Sequence, residues 1–179
     1  VVTRNASINI TDKYNKNVTF IKSPVFNVIP DFNITQPENG HTAVANETYN
    51  IQWSSTGVGP TNVVLEYSTD AQLGEGATWN YVVGGDHNTT NDGSESWNVP
   101  GATLSENSRV RIKDPGYTNA SNEGLNYFYL RGRINVTRPA GGENWQVGTP
   151  ESINWSVKGN ILKVNISYYD GSVWNVIRT

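Results

Sequence analysis

Residues 32–53 read FNITQPENGHTAVANETYNIQW, and residues 134–155 read INVTRPAGGENWQVGTPESINW. Set 102 positions apart, Asn33 meets Asn135, Thr35 meets Thr137, Pro37 meets Pro139, Gly40 meets Gly142, Ile51 meets Ile153 and Trp53 meets Trp155. The same offset places Ile8, Ile10 and Asp12 on Val110, Ile112 and Asp114, and Phe26 on Phe128. The chain therefore reads as a repeat. Residues 1–31 hold the C-terminal strands of a partial unit, 32–131 a complete unit, and 132–179 the N-terminal strands of a further partial unit. Repeated units of this size build length or display surface more often than they do chemistry.

Inside the complete unit the apolar residues recur at every second position. Phe32 and Ile34 alternate with Asn33 and Thr35; Tyr49, Ile51 and Trp53 alternate with Asn50 and Gln52; Val63, Leu65 and Tyr67 alternate with Val64 and Glu66. Trp79 to Val83, Trp97 to Val99, Val110 to Ile112 and Phe128 to Leu130 continue the pattern, with turn-rich stretches between. Period two means strands with one face buried. Seven short strands in about 100 residues predict an all-β fold of tandem immunoglobulin-like antiparallel β-sandwiches. Ile51, Trp53, Leu65, Trp97, Val110, Ile112 and Phe128 share the inward phase and form the expected core. Ile153, Trp155, Leu162, Val164, Ile166, Tyr168, Trp174 and Val176 carry the same reading into the last unit.

Composition narrows the class. The chain has no cysteine, so no disulfide framework, thiolate metal site or cysteine nucleophile is available. It has no methionine and reads as a piece of something longer. Charged residues make up only 16% and the net charge is −3, with no basic stripe for nucleic acid. No apolar run approaches the roughly 18 residues of a membrane span.

The run Ile134 to Ser156, I-x-V-T-x-P-x-G-G-E-x-W-x-V-G-(x)4-I-x-W-S, resembles the start of an Ig-like domain common in microbial surface proteins. That family is named for a yeast cell-wall β-glucan assembly protein and for Ser/Thr-rich membrane-anchored proteins. The V-x-L-E-Y-S-T-D of 63–70, the N-D-G-S-x-S-W-x-V-P of Asn91 to Pro100 and the S-R-V-R-I-K-D of Ser108 to Asp114 continue the resemblance. The family's N-G-G-E run departs to Glu38-Asn39-Gly40-His41 in the first copy and survives as Gly141-Gly142-Glu143 in the second. The resemblance implies a secreted protein, tandem and attached at the cell surface, and it implies no catalytic residue.

Candidate sites are few. Gly40, Gly141 and Gly142 fit a turn that needs positive φ. Asp12 and Asp114 repeat at a strand end, where turn formation is the usual role. Asp86, Asn88, Asn91, Asp92 and Glu95 gather oxygens in one loop that could hold Ca²⁺, although the spacing is not an EF-hand and a solvated hairpin loop is the simpler reading. Otherwise no cofactor is expected. Tryptophans 53, 79, 97, 145, 155 and 174 follow the strand pattern, which favours packing over a sugar-binding platform. His41 and His87 both lie in turns, and no G-x-S-x-G, H-E-x-x-H or Cys–His pair is present, so the chain is expected not to be an enzyme.

The strongest chemical signal is N-glycosylation. Asn-x-Ser/Thr acceptors occur at Asn5, Asn17, Asn33, Asn46, Asn88, Asn119, Asn135, Asn154 and Asn165. With 24 Asn and 31 Ser plus Thr among 179 residues, chance supplies about four, so the acceptors are about twofold enriched. Asn17 and Asn119, and Asn33 and Asn135, recur at the period. Alternation turns Asn33, Asn154 and Asn165 away from the core.

Each partial unit leaves an apolar face and an unpaired edge, so completion by strand pairing is expected, from adjacent repeats or from another copy. The junction Arg131-Gly132-Arg133-Ile134 has no flexible linker and predicts stiff neighbours. The sequence thus points to a non-enzymatic, N-glycosylated extracellular structural protein, a cell-surface rod, sheath or filament. The alternatives are an adhesin or carbohydrate-binding array, and an accessory Ig-like array of a larger secreted enzyme.

Overall fold

The computed structural model of the protein describes residues 3–15, 22–57 and 59–178. It is nearly all β. Strands β1 (Thr3–Ala6) and β2 (Phe26–Val28) pair with each other. The central body follows as β3 (Asp31–Gln36), β4 (Thr42–Val44), β5 (Thr48–Thr56), β6 (Asn62–Ser68), β7 (Asn80–Tyr81), β8 (Asn88–Thr90), β9 (Ser94–Asn98), β10 (Ser105–Asp114), β11 (Tyr117–Glu123) and β12 (Phe128–Arg131). A 3₁₀ turn at Ala71–Gly76 joins β6 to β7. Then β13 (Arg133–Arg138) pairs with β14 (Asn154–Lys158), and β15 (Ile166–Tyr169) with β16 (Trp174–Arg178). No helix among the described residues is long and apolar enough to cross a membrane.

Two sheets enclose the central core. One runs β3-β5-β9; the other runs β4-β12-β10-β6-β7, with β11 on β10 and β8 on β6. All pairings are antiparallel except β4 with β12, which is parallel. The pleat sends alternate side chains inward, so Phe32, Ile51, Trp53 and Trp97 from the first sheet meet Val63, Leu65, Val110, Ile112, Phe128 and Leu130 from the second. All seven core residues expected from the sequence are buried. Trp97 lies at the centre, its ring 4.9 Å from Tyr67 and 6.3 Å from Phe128 between centroids. The Trp53 indole N–H donates to Asn91 Oδ1 at 2.8 Å, so its one polar atom is satisfied.

The structure differs from the sequence reading in three places. The central body contains β4, β8 and β11 beyond the seven expected strands; these are polar or only three residues long, and their neighbours define them. The strand expected through Ile8 and Ile10 ends at Ala6, and both isoleucines are exposed in irregular chain. Their counterparts Val110 and Ile112 are held by β6, which pairs with both. Nothing equivalent to β6 flanks Ile8 and Ile10, so the ladder stops. The run from Leu162 is strand only from Ile166.

Two ladders recur at the period. The β3–β5 pairs Asp31 with Thr56, Phe32 with Ser55, Asn33 with Ser54 and Ile34 with Trp53, then shift to Gln36 with Gln52. The β13–β14 pairs fall 102 positions later at every step, including the shift: Arg133 with Lys158 through Val136 with Trp155, then Arg138 with Asn154. The β1–β2 pairs, Thr3 with Val28 and Ala6 with Phe26, fall 102 positions before the β10–β12 pairs, Ser105 with Leu130 and Ser108 with Phe128. The peptide bonds before Pro37 and Pro139 are both cis. Left-handed backbone recurs at Gly40 and Gly142, at Asn46 and Gly148, and at Gly57 and Gly159. A third ladder is similar without keeping the period: Tyr67 with Asn80 resembles Tyr168 with Asn175, at offsets of 101 and 95. The second version has a shorter connection and no 3₁₀ turn.

Replacing Trp97 by Ala is expected to destabilise the central body by roughly 3–5 kcal/mol, the range for emptying a buried aromatic site. Urea unfolding followed by circular dichroism measures it; a loss under about 1 kcal/mol would mean the ring is not the packing centre.

Candidate functional site

The same inward residues that are covered in the central body are uncovered at 133–178. Trp53 is 5% exposed, but Trp155, on the equivalent rung of β14, is 40% exposed. Ile134, Val136, Ile153, Trp155, Val164, Ile166, Tyr168 and Ile177 line an open groove of about 660 Å³, together with Trp145 and Pro139. Trp145 stands where the central body has the buried Ala43. Segment β4, which carries Ala43, is paired to β12; Asn144 to Gln146 have no such strand beside them. The hairpin β1–β2 is the converse case. Phe26 is 42% exposed against 0% for Phe128, and Val28 is 38% exposed against 1% for Leu130. Each large apolar side chain left in water forgoes about 1.5–3 kcal/mol relative to full burial.

A close junction ties the groove-bearing strands to the central body. Glu47 Oε1 accepts from Arg133 Nη1 at 2.6 Å and from Lys158 Nζ at 2.7 Å. Asn160 Nδ2 donates to the Ala102 carbonyl at 3.2 Å. Beneath these contacts two glycines permit close approach. A Cβ on Gly159, whose φ is +80°, would stand 2.7 Å from Ala45 Cβ, and one on Gly132 would stand 2.7 Å from Ile161 Cδ1. Ala45 is fully buried there. Gly57, 102 positions before Gly159, has the same left-handed backbone but open space at its Cβ position. The Lys158 hydrogen bond is the largest effect and holds the Glu47 carboxyl below its ordinary value; desolvation opposes it, and the Arg133 and Lys158 charges add to the lowering. Neither side of this contact was foreseen from sequence, because the partners are 86 and 111 positions apart.

The acceptor asparagines divide by local geometry. Asn5, Asn33, Asn119, Asn135, Asn154 and Asn165 are exposed. Asn17 lies outside the described residues. Asn46 is exposed as a residue, but its amide lies on Gly101, where a Cβ would stand 2.7 Å from Nδ2. Asn88 is half-buried, with Nδ2 donating to the Asp86 carbonyl at 3.0 Å and Oδ1 buried without a partner, contrary to the outward placement a glycan needs. A tenth acceptor, Asn9 in Asn9-Ile10-Thr11, is exposed; its triplet is explicit in the sequence but falls outside the period-based pairs.

Several oxygens of the oxygen-rich loop serve its own fold. Asp86 Oδ1 accepts from the Asn88 N–H at 3.3 Å, Asp92 Oδ1 from the Ser94 N–H at 3.2 Å, and Glu95 from the Thr89 hydroxyl. Asn91 is occupied by Trp53 and the Pro60 carbonyl. Among the described residues no three His, Asp or Glu side chains gather as a metal site. Asp12 and Asp114 make turns, accepting from Tyr14, Asn15 and Gly116 N–H groups; the Asn15 and Tyr14 bonds lower the Asp12 pKa. Glu143 closes the turn after Pro139 by accepting from Ala140 and Gly141 N–H groups, and those bonds depress its pKa, Ala140 most strongly. A cleft of about 280 Å³ lies beside Tyr81 and Lys113. His87 stacks on Tyr81 at 3.7 Å, and outside the cleft Arg111 covers Trp79 at 4.0 Å.

Comparison with known protein families, characterised proteins and solved structures finds no match for the chain.

Glu47 supplies a pH test of the junction. Its folded pKa is depressed, so its contribution is present above the ordinary glutamate value of 4.5 and is lost as pH falls through the folded value. An NMR titration of the Arg133 and Lys158 amides is expected to give a midpoint below 4.5, abolished by Glu47→Gln. A midpoint at or above 4.5 would mean the two cations do not hold the carboxylate.

Proposed function

We propose that the chain is part of a non-enzymatic, N-glycosylated extracellular structural protein whose tandem immunoglobulin-like units build a rod, sheath or filament at a cell surface. The observation that carries this reading is the recurrence of strand register at 102 residues on both sides of the central body. Sequence repeats can drift into different structures; the same pairs and the same register shifts support one unit used repeatedly. The strand order supports the immunoglobulin-like assignment: β3, β5 and β9 correspond to A, B and E, and β6, β10 and β12 to C, F and G. The short Gly132 connection and the Glu47 contacts favour a stiff array over beads on a flexible string. The exposed acceptors fit a glycan coat, which would solubilise the surface and block proteases.

Two measurements on native material test it. Microscopy is expected to reveal a regular filament or lattice; dispersed particles would contradict the structural role. Site-resolved mapping after enzymatic deglycosylation is expected to find sugar at Asn33, Asn135, Asn154 and Asn165 and none at Asn88. An intact mass equal to bare polypeptide, near 19.7 kDa for this stretch, would refute the glycoprotein reading.

A further inference from the structure

We infer that the β1–β2 hairpin of one copy seats on the open groove of 133–178 of a second copy, in the register that β10–β12 takes in the central body. The inference deepens the proposed array and rests on it. The central body is its own template. There, Phe128 and Leu130 of β12 cover the Phe32, Ile51 and Trp53 face, and β12 pairs in parallel with β4: Tyr129 with Thr42, Leu130 with Ala43, Arg131 with Val44.

Hairpin β1–β2 has the β10–β12 rungs at a constant offset, with the same register shift, and presents Phe26 and Val28 where β12 presents Phe128 and Leu130. The groove presents Ile134, Ile153 and Trp155 where the central body presents Phe32, Ile51 and Trp53. Among the described residues no strand covers Phe26 and Val28 and none fills the β12 place over the groove, and a strand added to an exposed edge is an established mode of recognition. Transferring the register sets Asn27 opposite Asn144, Val28 opposite Trp145 and Ile29 opposite Gln146. No counterpart of Trp97 enters with the hairpin. Trp145 in place of Ala43 adds indole bulk to the composite core. The contact joins different surfaces of the two copies, so it repeats head to tail and builds a filament unless the rotation closes it into a ring.

The chain has no cysteine, which permits a clean crosslinking test. Asn27→Cys and Asn144→Cys variants are prepared separately, mixed and oxidised. Facing residues of paired strands lie within the Cα separation a disulfide spans. A disulfide heterodimer is expected in the mixture only, with its yield falling by about tenfold or more when Phe26→Asp puts a charge into the groove. Phe26 lies outside the central core, and circular dichroism checks that the central fold survives. No heterodimer, or a heterodimer indifferent to Phe26→Asp, would overturn the inference. Filaments that persist under either result would leave the array reading standing and assign the groove to another segment. Dispersed, bare chains would remove both.

Discussion

A β-sheet with one apolar face has to bury that face against something, and everything particular about this chain depends on where that condition is met. Between β3-β5-β9 and the β12-β10-β6 sheet it is met: Phe32, Ile51, Trp53, Leu65, Val110, Ile112 and Phe128 all leave water. On either side the same inward phase is kept but the cover is incomplete among the described residues: β15–β16 stands across the groove from β13–β14, and no described strand takes the place of β10 and β12. Strand register in the flanks equals that of the centre, so the apolar groove and the apolar hairpin follow from a fold that is built the same way and left uncovered.

The join between central body and following strands is polar outside and tightly packed inside. Glu47 faces two cations, each about half exposed, and surface pairs of this kind contribute little on their own. The close packing lies below, where Gly132 and Gly159 let backbone and Ala45 approach closer than any side chain would allow. Charge sets the direction of the approach and close packing limits its freedom. Gly57 repeats the left-handed backbone of Gly159, with no atom of the described residues within 4 Å of its Cβ position.

What could be read in the sequence was what the pleat imposes. Alternation fixed the inward phase of β3, β5, β6, β9, β10 and β12, because a one-residue slip would turn every apolar residue outward. Strands β4, β8 and β11 were illegible because their partners define them: Thr42–Val44 is a strand through its bonds to β12, and Asn88–Thr90 through β6. Ile8 and Ile10 show the reverse, carrying strand residues where, among the described residues, no strand pairs with them and Ile8 bonds only to Ser23. The acceptor asparagines on strands were legible for the same pleat reason. Asn46 and Asn88 were not, because their amide direction is set by a left-handed turn residue and by the Asp86 turn. The Ca²⁺ reading of the oxygen-rich loop rests on composition; the geometry shows one oxygen each of Asp86, Asp92 and Glu95 accepting from a neighbouring N–H or hydroxyl group.

The central claim is that the flanking strands are the central unit's fold awaiting cover. Amide hydrogen exchange on the intact chain, at low and high concentration and in assembled material, tests this most directly. The account predicts that β5, β6 and β10 are protected throughout, while β1, β2, β13 and β14 exchange fast when dilute and gain protection on assembly. Full protection of the flanks in dilute monomer, or none gained on assembly, would contradict it.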